Sequence, residues 1–394
     1  MESSWLPYFE FRKNILEVQL KYIGLSIFDP HFKFNWLTAF YWIDISIFTI
    51  ISCTDLYFFI GQLKEFVFCI VTLPFALFFA IRFYNLQFKR KLIVKLVQEA
   101  HYFCMKLRSE KRLVEIALFG KYAEYLKLIA IATNLLVLVA GSGSLILPFL
   151  MYPFLQELIL PFGFVIPGMD YTQGVGFVAS YLYQIFEVLL VVTFAFLPMF
   201  HFLTFYVLFG CFHLDCQMIR LRDFNDKLTE INFQTKPIDR IHDLKKLIKM
   251  HQTFKEFIGN VDVIFAVQNL LDLLSISFQS ITILFFCTTE FWAQGYGIVF
   301  AIVTPVFMTC AYGVVLETKG NKLVESIYEL NWHLLRVTER RLIVLYLVGT
   351  QKMKYFSFGS YLPVNFDTFA KTMKFCANVL IFLVKRQSLH NSGN

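Results

Sequence analysis

Residues 177–210 read FVASYLYQIFEVLLVVTFAFLPMFHFLTFYVLFG, a run that holds one acid, Glu187, and no Lys or Arg. About 20 apolar residues suffice to cross a bilayer as a helix, so this stretch crosses with length to spare. Outward from it, no Lys or Arg occurs between Lys127 and Arg220, nor between Lys255 and Lys319. Gaps of that length and apolarity belong in lipid. The composition of the 394 residues agrees: 57% are hydrophobic and 16% charged, with 48 Phe, against roughly 25% charged in an ordinary soluble domain. A soluble globular or disordered protein is excluded.

Seven stretches fit a membrane span, near 36–60, 65–84, 123–150, 177–210, 257–288, 291–317 and 367–384. Pro74, Pro198 and Pro305 fall inside them, where each frees a carbonyl and bends the helix. Orientation follows from the connecting segments, because Lys and Arg gather on the cytoplasmic side of short loops. The segment 85–122 is rich in basic residues from Lys89 to Lys121, and the segment after 210 runs from Arg220 to Lys255 in the same way. The loop 151–176 and the turn 286–293 contain none. Arg12, Lys13, Lys21 and Lys33 at the start, and the basic residues from Lys319 to Lys354, keep the same register. The expected fold is therefore an all-α membrane protein of seven transmembrane helices, N-terminus inside and C-terminus outside. A G-protein-coupled receptor has the opposite orientation, and its Asp-Arg-Tyr and Asn-Pro-x-x-Tyr signatures do not occur here.

The formal charge of +7 is spread over the inner segments between hydrophobic spans, not gathered into a patch with interleaved aromatics, so no nucleic acid is expected. The eight cysteines form no disulfide or zinc spacing. No cleavable leader is expected, since the first 34 residues lack an early apolar core followed by small residues.

The inner segments have helical periodicity. Apolar positions recur at Ile241, Leu244, Ile248, Phe254 and Ile258 among lysines, and at Leu323, Ile327, Leu330, Leu334 and Val337 beside Glu325, Glu329 and Arg336. These suit helices of an intracellular domain, or helices lying on the membrane surface.

Catalytic signatures are absent: no His-Glu-x-x-His, phosphate loop or Gly-x-Ser-x-Gly elbow occurs. Cys211, His213 and Cys216 are too few for a closed zinc site, and Gly141-Ser142-Gly143-Ser144 suits close helix approach or room for a ligand. Neither an enzyme nor a cofactor is expected. Asp44, Asp55, Glu187, Asp262 and Asp272 lie in or near spans, where a carboxylate is costly and faces protein or water. A proton-coupled transporter would use such groups, but no inverted repeat relates the two halves of the chain.

The last third is more specific. Tyr328-Glu329-Leu330-Asn331-Trp332, Arg340-Arg341-Leu342, Gln351-Lys352, Gly359-Ser360-Tyr361-Leu362-Pro363-Val364 and Thr368-Phe369 resemble the insect odorant receptor family in order and spacing. Met353 stands where the family has proline, and Ala377-Asn378 where it has Tyr-Ser. The resemblance implies an odorant-binding subunit of a heterotetrameric, ligand-gated, non-selective cation channel in the plasma membrane, partnered by the shared odorant co-receptor. A gustatory-type channel receptor and, further off, a secondary transporter are the alternatives.

On that resemblance residues 1–394 form one transmembrane domain, 211–256 and 318–345 contribute to a cytoplasmic anchor holding Tyr328 and Trp332, and 366–387 line the pore. The ligand pocket would lie in the outer half of the bundle and include Phe68, Val71, Phe75, Gly141, Ser142, Leu145, Tyr181, Gln184, Phe186, Tyr296 and Phe300. An aromatic cage with few polar groups suits a small volatile odorant. Phe382 and Leu383 would stand at the gate, with Lys385 and Arg386 at the outer mouth or snorkelling to the lipid interface.

Overall fold

The computed structural model describes residues 34–155, 160–172, 174–230, 237–289, 293–351, 353 and 355–393, with positions 21, 25, 29 and 32 before them. Of the basic residues used above for orientation, Arg12, Lys13, Lys33, Lys236, Lys352 and Lys354 lie outside the described residues. The helices are α1 (Trp36–Phe58), α2 (Leu63–Phe88), α3 (Arg90–Ser109), α4 (Leu113–Leu155), α5 (Gly174–Leu190), α6 (Leu197–Glu230), α7 (Pro237–Thr289), α8 (Ala293–Tyr328), α9 (Val337–Gln351) and α10 (Phe366–Gly393). A two-stranded hairpin, β1 (Ser357–Phe358) with β2 (Leu362–Pro363), precedes α10.

Among the described residues six helical stretches are long and apolar enough to cross a membrane: Trp36–Phe58, Glu65–Phe88, Leu113–Gly143, Gly174–Thr229, Arg240–Thr289 and Gly295–Tyr328. They coincide with the first six stretches read from sequence. The seventh forms the helix α10, but Asp367, Lys371, Lys374, Lys385 and Arg386 make it too polar to stand in lipid on all sides. Helices α4 and α7 have 43 and 53 residues. At 1.5 Å per residue they measure about 65 and 80 Å, roughly twice the ~30 Å hydrocarbon thickness. Both therefore continue well beyond the bilayer.

Between α5 and α6 the chain widens into a π-helical turn, Val191–Phe196. Pro198 follows directly, and the wider turn accommodates a ring that would otherwise press on the preceding carbonyl.

The long core runs along α6, whose buried Met199, Phe202, Tyr206, Phe212 and Cys216 pack between α7 and α8. Its C-terminal half is laced by charge. Arg220 donates to Glu115 at 2.9 Å and to Glu110 at 3.2 Å, Arg112 reaches Asp223 at 2.7 Å, and Lys319 and Tyr122 both donate to Asp215 at 2.7 Å. These pairs join α3, α4, α6 and α8 where the sequence gathered its basic residues.

The apolar periodicity of 320–342 is not one helix. After Tyr328 the chain turns through a single 3-10 turn, Trp332–Leu334, and α9 starts anew. Asn225 accepts from the Asn331 backbone N–H at 2.9 Å, and Glu339 caps α9 by accepting from Arg336 N–H at 2.8 Å. Leu323, Ile327 and Leu330 are buried, whereas Leu334 and Val337, beyond the break, are exposed. The segment 86–120 is divided as well: Lys111 adopts a left-handed φ of 53°, and Arg112 N–H returns to Leu107 C=O to close α3.

Candidate functional site

One end of the bundle is closed by the loop between α4 and α5. Residues 160–166 fold inward, so that Leu160, Phe164 and Val165 are buried against α1, α2 and α5. Gln184 on α5 holds this turn: its Nε2 donates to the carbonyls of Phe162 and Phe164, and its Oε1 accepts from Phe162 N–H at 3.0 Å. Asp55 accepts from Val165 N–H at 2.8 Å, and the Cys69 thiol donates to Gly163 C=O. Gly163 lies so close to the Phe68 backbone that a side chain could not fit there. The inserted turn brings Phe162 and Phe164 to Phe48, Phe75 and Tyr183, with the rings of Phe48 and Phe164 4.9 Å apart and those of Phe164 and Tyr183 5.8 Å apart.

The residues expected at a ligand pocket divide into three groups. Phe68, Val71 and Phe75 on α2 face the interior around the inserted turn, with Val71 fully buried. Gln184 is buried but spends its amide on the loop, and the Tyr181 hydroxyl donates to Leu145 C=O at 2.7 Å, joining α5 to α4. Gly141 and Leu145 are half-buried, while Ser142, Phe186, Tyr296 and Phe300 are exposed on the single chain. On the third candidate span, Leu113–Gly143, only 6% of the most apolar window is buried. Its surroundings must therefore be lipid or another subunit. Sequence reading missed the loop residues Phe162 and Phe164, because nothing local signals that an outer loop turns inward; the absence of charge in 151–166 apart from Glu157 was the available hint.

Toward α10 the chain is clamped from both sides. Asp262 on α7 accepts from the Ser357 backbone N–H at 2.7 Å and from its hydroxyl at 2.8 Å, and Gly359 N–H donates to Ala266 C=O at 2.8 Å. Gly359 and Ser360 both have left-handed φ, 62° and 67°, which the tight return from β1 to β2 requires. Glycine also leaves room for Leu270, which a Cβ there would strike. Gly313 on α8 lets the Val364 carbonyl approach its backbone. On α10, Phe382 is 62% exposed on the single chain, Leu383 is half-buried, and Lys385 and Arg386 are exposed.

The end of the bundle opposite that inserted loop has a buried polar knot. Gln217 donates to His213 Nδ1 at 3.0 Å and accepts from Tyr346 at 3.1 Å and His251 Nδ1 at 3.2 Å, joining α6, α7 and α9. Burial pushes the Tyr346 phenol up, and burial together with the Glu317 charge pushes Tyr355 up to about 12. Tyr346 thus stays protonated as the donor to Gln217. Trp332 is 52% exposed under the Arg340 guanidinium, 5.8 Å from its ring, and Tyr328 is exposed while accepting from Gln351 Nε2. Both large aromatics thus stand in the open beside well-packed helices.

A family profile described as 7tm Odorant receptor matches residues 62–377. Odorant receptor 33b of Drosophila melanogaster is 25% identical over 138 residues, which cover 35% of this chain and 36% of that one. Odorant receptor 2a of the same fly is 28% identical over 85 residues, 22% and 21% of the two chains. Each of these matches spans about a third or less of the relative's length. Among solved structures, the insect olfactory receptor OR5 from Machilis hrabei in complex with eugenol has the same fold, with a TM-score of 0.74 at 14% identity over 96% of this chain and 99% of that one. A second structure of that receptor gives 0.72 at 14% identity over 95% and 98%.

Proposed function

Because the chain belongs to the insect odorant receptor family, whose members are multi-pass, non-enzymatic receptors of olfaction, we propose that it is the odorant-binding subunit of a ligand-gated, non-selective cation channel. Helix α10 carries the reading. It is helical and clamped by the hairpin to α7 and α8, yet it holds five charged side chains along one span and leaves Phe375, Ile381 and Phe382 open. Such a helix needs water on one side and other helices around it, which a central pore shared by several subunits supplies. The N-terminus lies inside, the C-terminus outside, and the assembly sits in the plasma membrane.

The ligand is a small volatile molecule bound in the outer half of the bundle. Eugenol, bound by the Machilis hrabei receptor, belongs to that class of molecule, and the ring cluster around Phe75, Phe162 and Phe164 offers a comparable apolar surface. Trp332 and Tyr328 belong to the anchor between subunits.

The partner is an odorant co-receptor. Lys385 and Arg386 in four identical subunits would ring the mouth with positive charge and oppose cation entry, whereas one or two such subunits among co-receptors leave the mouth passable. Cells expressing this chain with a co-receptor should give odorant-evoked cation current with G-protein signalling blocked, and cells expressing it alone should give little. Equal currents in the two cases would refute the heteromer, and uptake without current would indicate a transporter. Replacing Lys385→Gln should raise single-channel cation conductance. An unchanged conductance would place Lys385 at the lipid interface instead.

A further inference from the structure

The interior of the bundle contains polar atoms that no described residue satisfies. On α1, Asp44, Phe48, Ser52 and Asp55 follow one another at four, four and three positions, so they form one stripe, and all are buried. On α5, Tyr183 and Glu187 are one turn apart on the side that carries Gln184. Asp55 is engaged by Val165 N–H. By contrast, Asp44 Oδ2, Ser52 Oγ, Tyr183 Oη and both carboxylate oxygens of Glu187 are buried without a hydrogen bond. Ser52 and Glu187 are each 1% exposed. The Tyr183 hydroxyl closes no well-formed bond with Glu187, and the Phe164 ring stands between Phe48 of α1 and Tyr183 of α5, so the α1 stripe and this face of α5 border the same ring.

Other buried acids of this chain have partners. Asp272 has Arg82, Glu115 has Arg220, Asp215 has Lys319, and Asp262 has Ser357. Neither α1 nor α5 has a Lys or Arg, and the Arg82 of α2 is committed to Asp272. Two neighbouring carboxylates in an apolar setting are costly unless a positive charge joins them. The rings of Phe48, Phe164 and Tyr183 stand beside them, and aromatic faces attract cations. Acceptors in excess, no cation beside them among the described residues and an aromatic wall together match the chemistry of an ammonium group, which has three donors and a full charge.

We propose that this cluster binds the protonated amino group of a small volatile amine. Glu187 and Asp44 supply the counter-charge, the oxygens of Ser52 and Tyr183 accept the remaining N–H bonds, and Phe48 and Phe164 cover the cation. An alkyl amine is protonated at neutral pH, as the lysine side chain is with its pKa of about 10.4. The inference rests on the odorant-receptor reading above and names the ligand class for it.

Hexylamine and hexan-1-ol, of equal chain length, make the test. With a co-receptor present, the half-maximal concentration for current should be at least tenfold lower for hexylamine than for hexan-1-ol. Glu187→Gln and Asp44→Asn, which keep the shapes, should each shrink that ratio tenfold or more, while Glu187→Asp, which keeps the charge, should retain the preference. A ratio favouring the alcohol, or one that survives both substitutions, would overturn the amine site. A purely structural role would weaken both ligands equally and overturn it too. The thermal midpoint of the purified protein is the second readout. A hexylamine-induced rise lost in Glu187→Gln, with no current from any odorant, would keep the site and refute the channel. Current from neutral odorants without any hexylamine effect would do the reverse.

Discussion

Replacing Asp272→Leu should nearly abolish surface delivery of the protein, and the joint replacement Arg82→Met with Asp272→Leu should restore much of it. Arg82 on α2 grips Asp272 on α7 through two bonds of 3.0 and 2.9 Å, and its guanidinium also lies 5.2 and 5.6 Å from the rings of Phe78 and Phe196. Both side chains are largely buried. Removing one partner leaves a charge in the bundle interior, which costs about 3–5 kcal/mol, whereas replacing both with apolar groups of similar volume is often neutral. That cost is a large part of the stability of any folded domain, which is on the order of 5–15 kcal/mol. Surface biotinylation of the two single variants and the double variant reads the outcome directly. Equal loss in the double and single variants would mean that the pair does more than neutralise its own charge.

Replacing Gln184→Leu should remove the response to every ligand, not shift the sensitivity to one. The amide holds three backbone groups of the inserted turn, and each buried group left unsatisfied costs about 1–3 kcal/mol. Leucine fits the space but offers nothing to Phe162 or Phe164. With the turn released, Phe162 and Phe164 leave the ring cluster, and the outer end of α5 loses its link to α2. Dose-response curves for chemically different odorants should collapse together while surface protein stays detectable. A selective loss for a single odorant would mean that Gln184 acts by touching that ligand.

The two cases show how much was legible beforehand. Asp272 was legible as an acid within a span, where a carboxylate faces protein or water, but nothing in the sequence joined it to Arg82, 190 positions away. Gln184 was legible as an outer-half residue of the fourth stretch, and its partners were not, because they are backbone groups of a loop whose side chains carry no signal for them. Leu334 and Val337 continued an apolar period that the chain abandons after Tyr328. There Asn225 and Glu339, hydrogen-bonding to backbone N–H groups, outweigh the weak preference of a short apolar pattern for a helix.

Sequence alone determined that this is a helical membrane protein and where its first six spans run, since the cost of taking charge and bare backbone into lipid is so large that composition over 20 residues decides it. It also showed the basic residues gathered in the segments between spans, and the motifs from Tyr328 to Phe369 pointed to the family. Only the tertiary structure decided that the loop at 160–166 turns into the bundle, that Asp262 and Gly359 clamp the hairpin before α10, and that Arg82 meets Asp272. Those contacts are each worth a few kcal/mol and join positions far apart in the chain, so no local pattern encodes them and they exist only once the helices have packed.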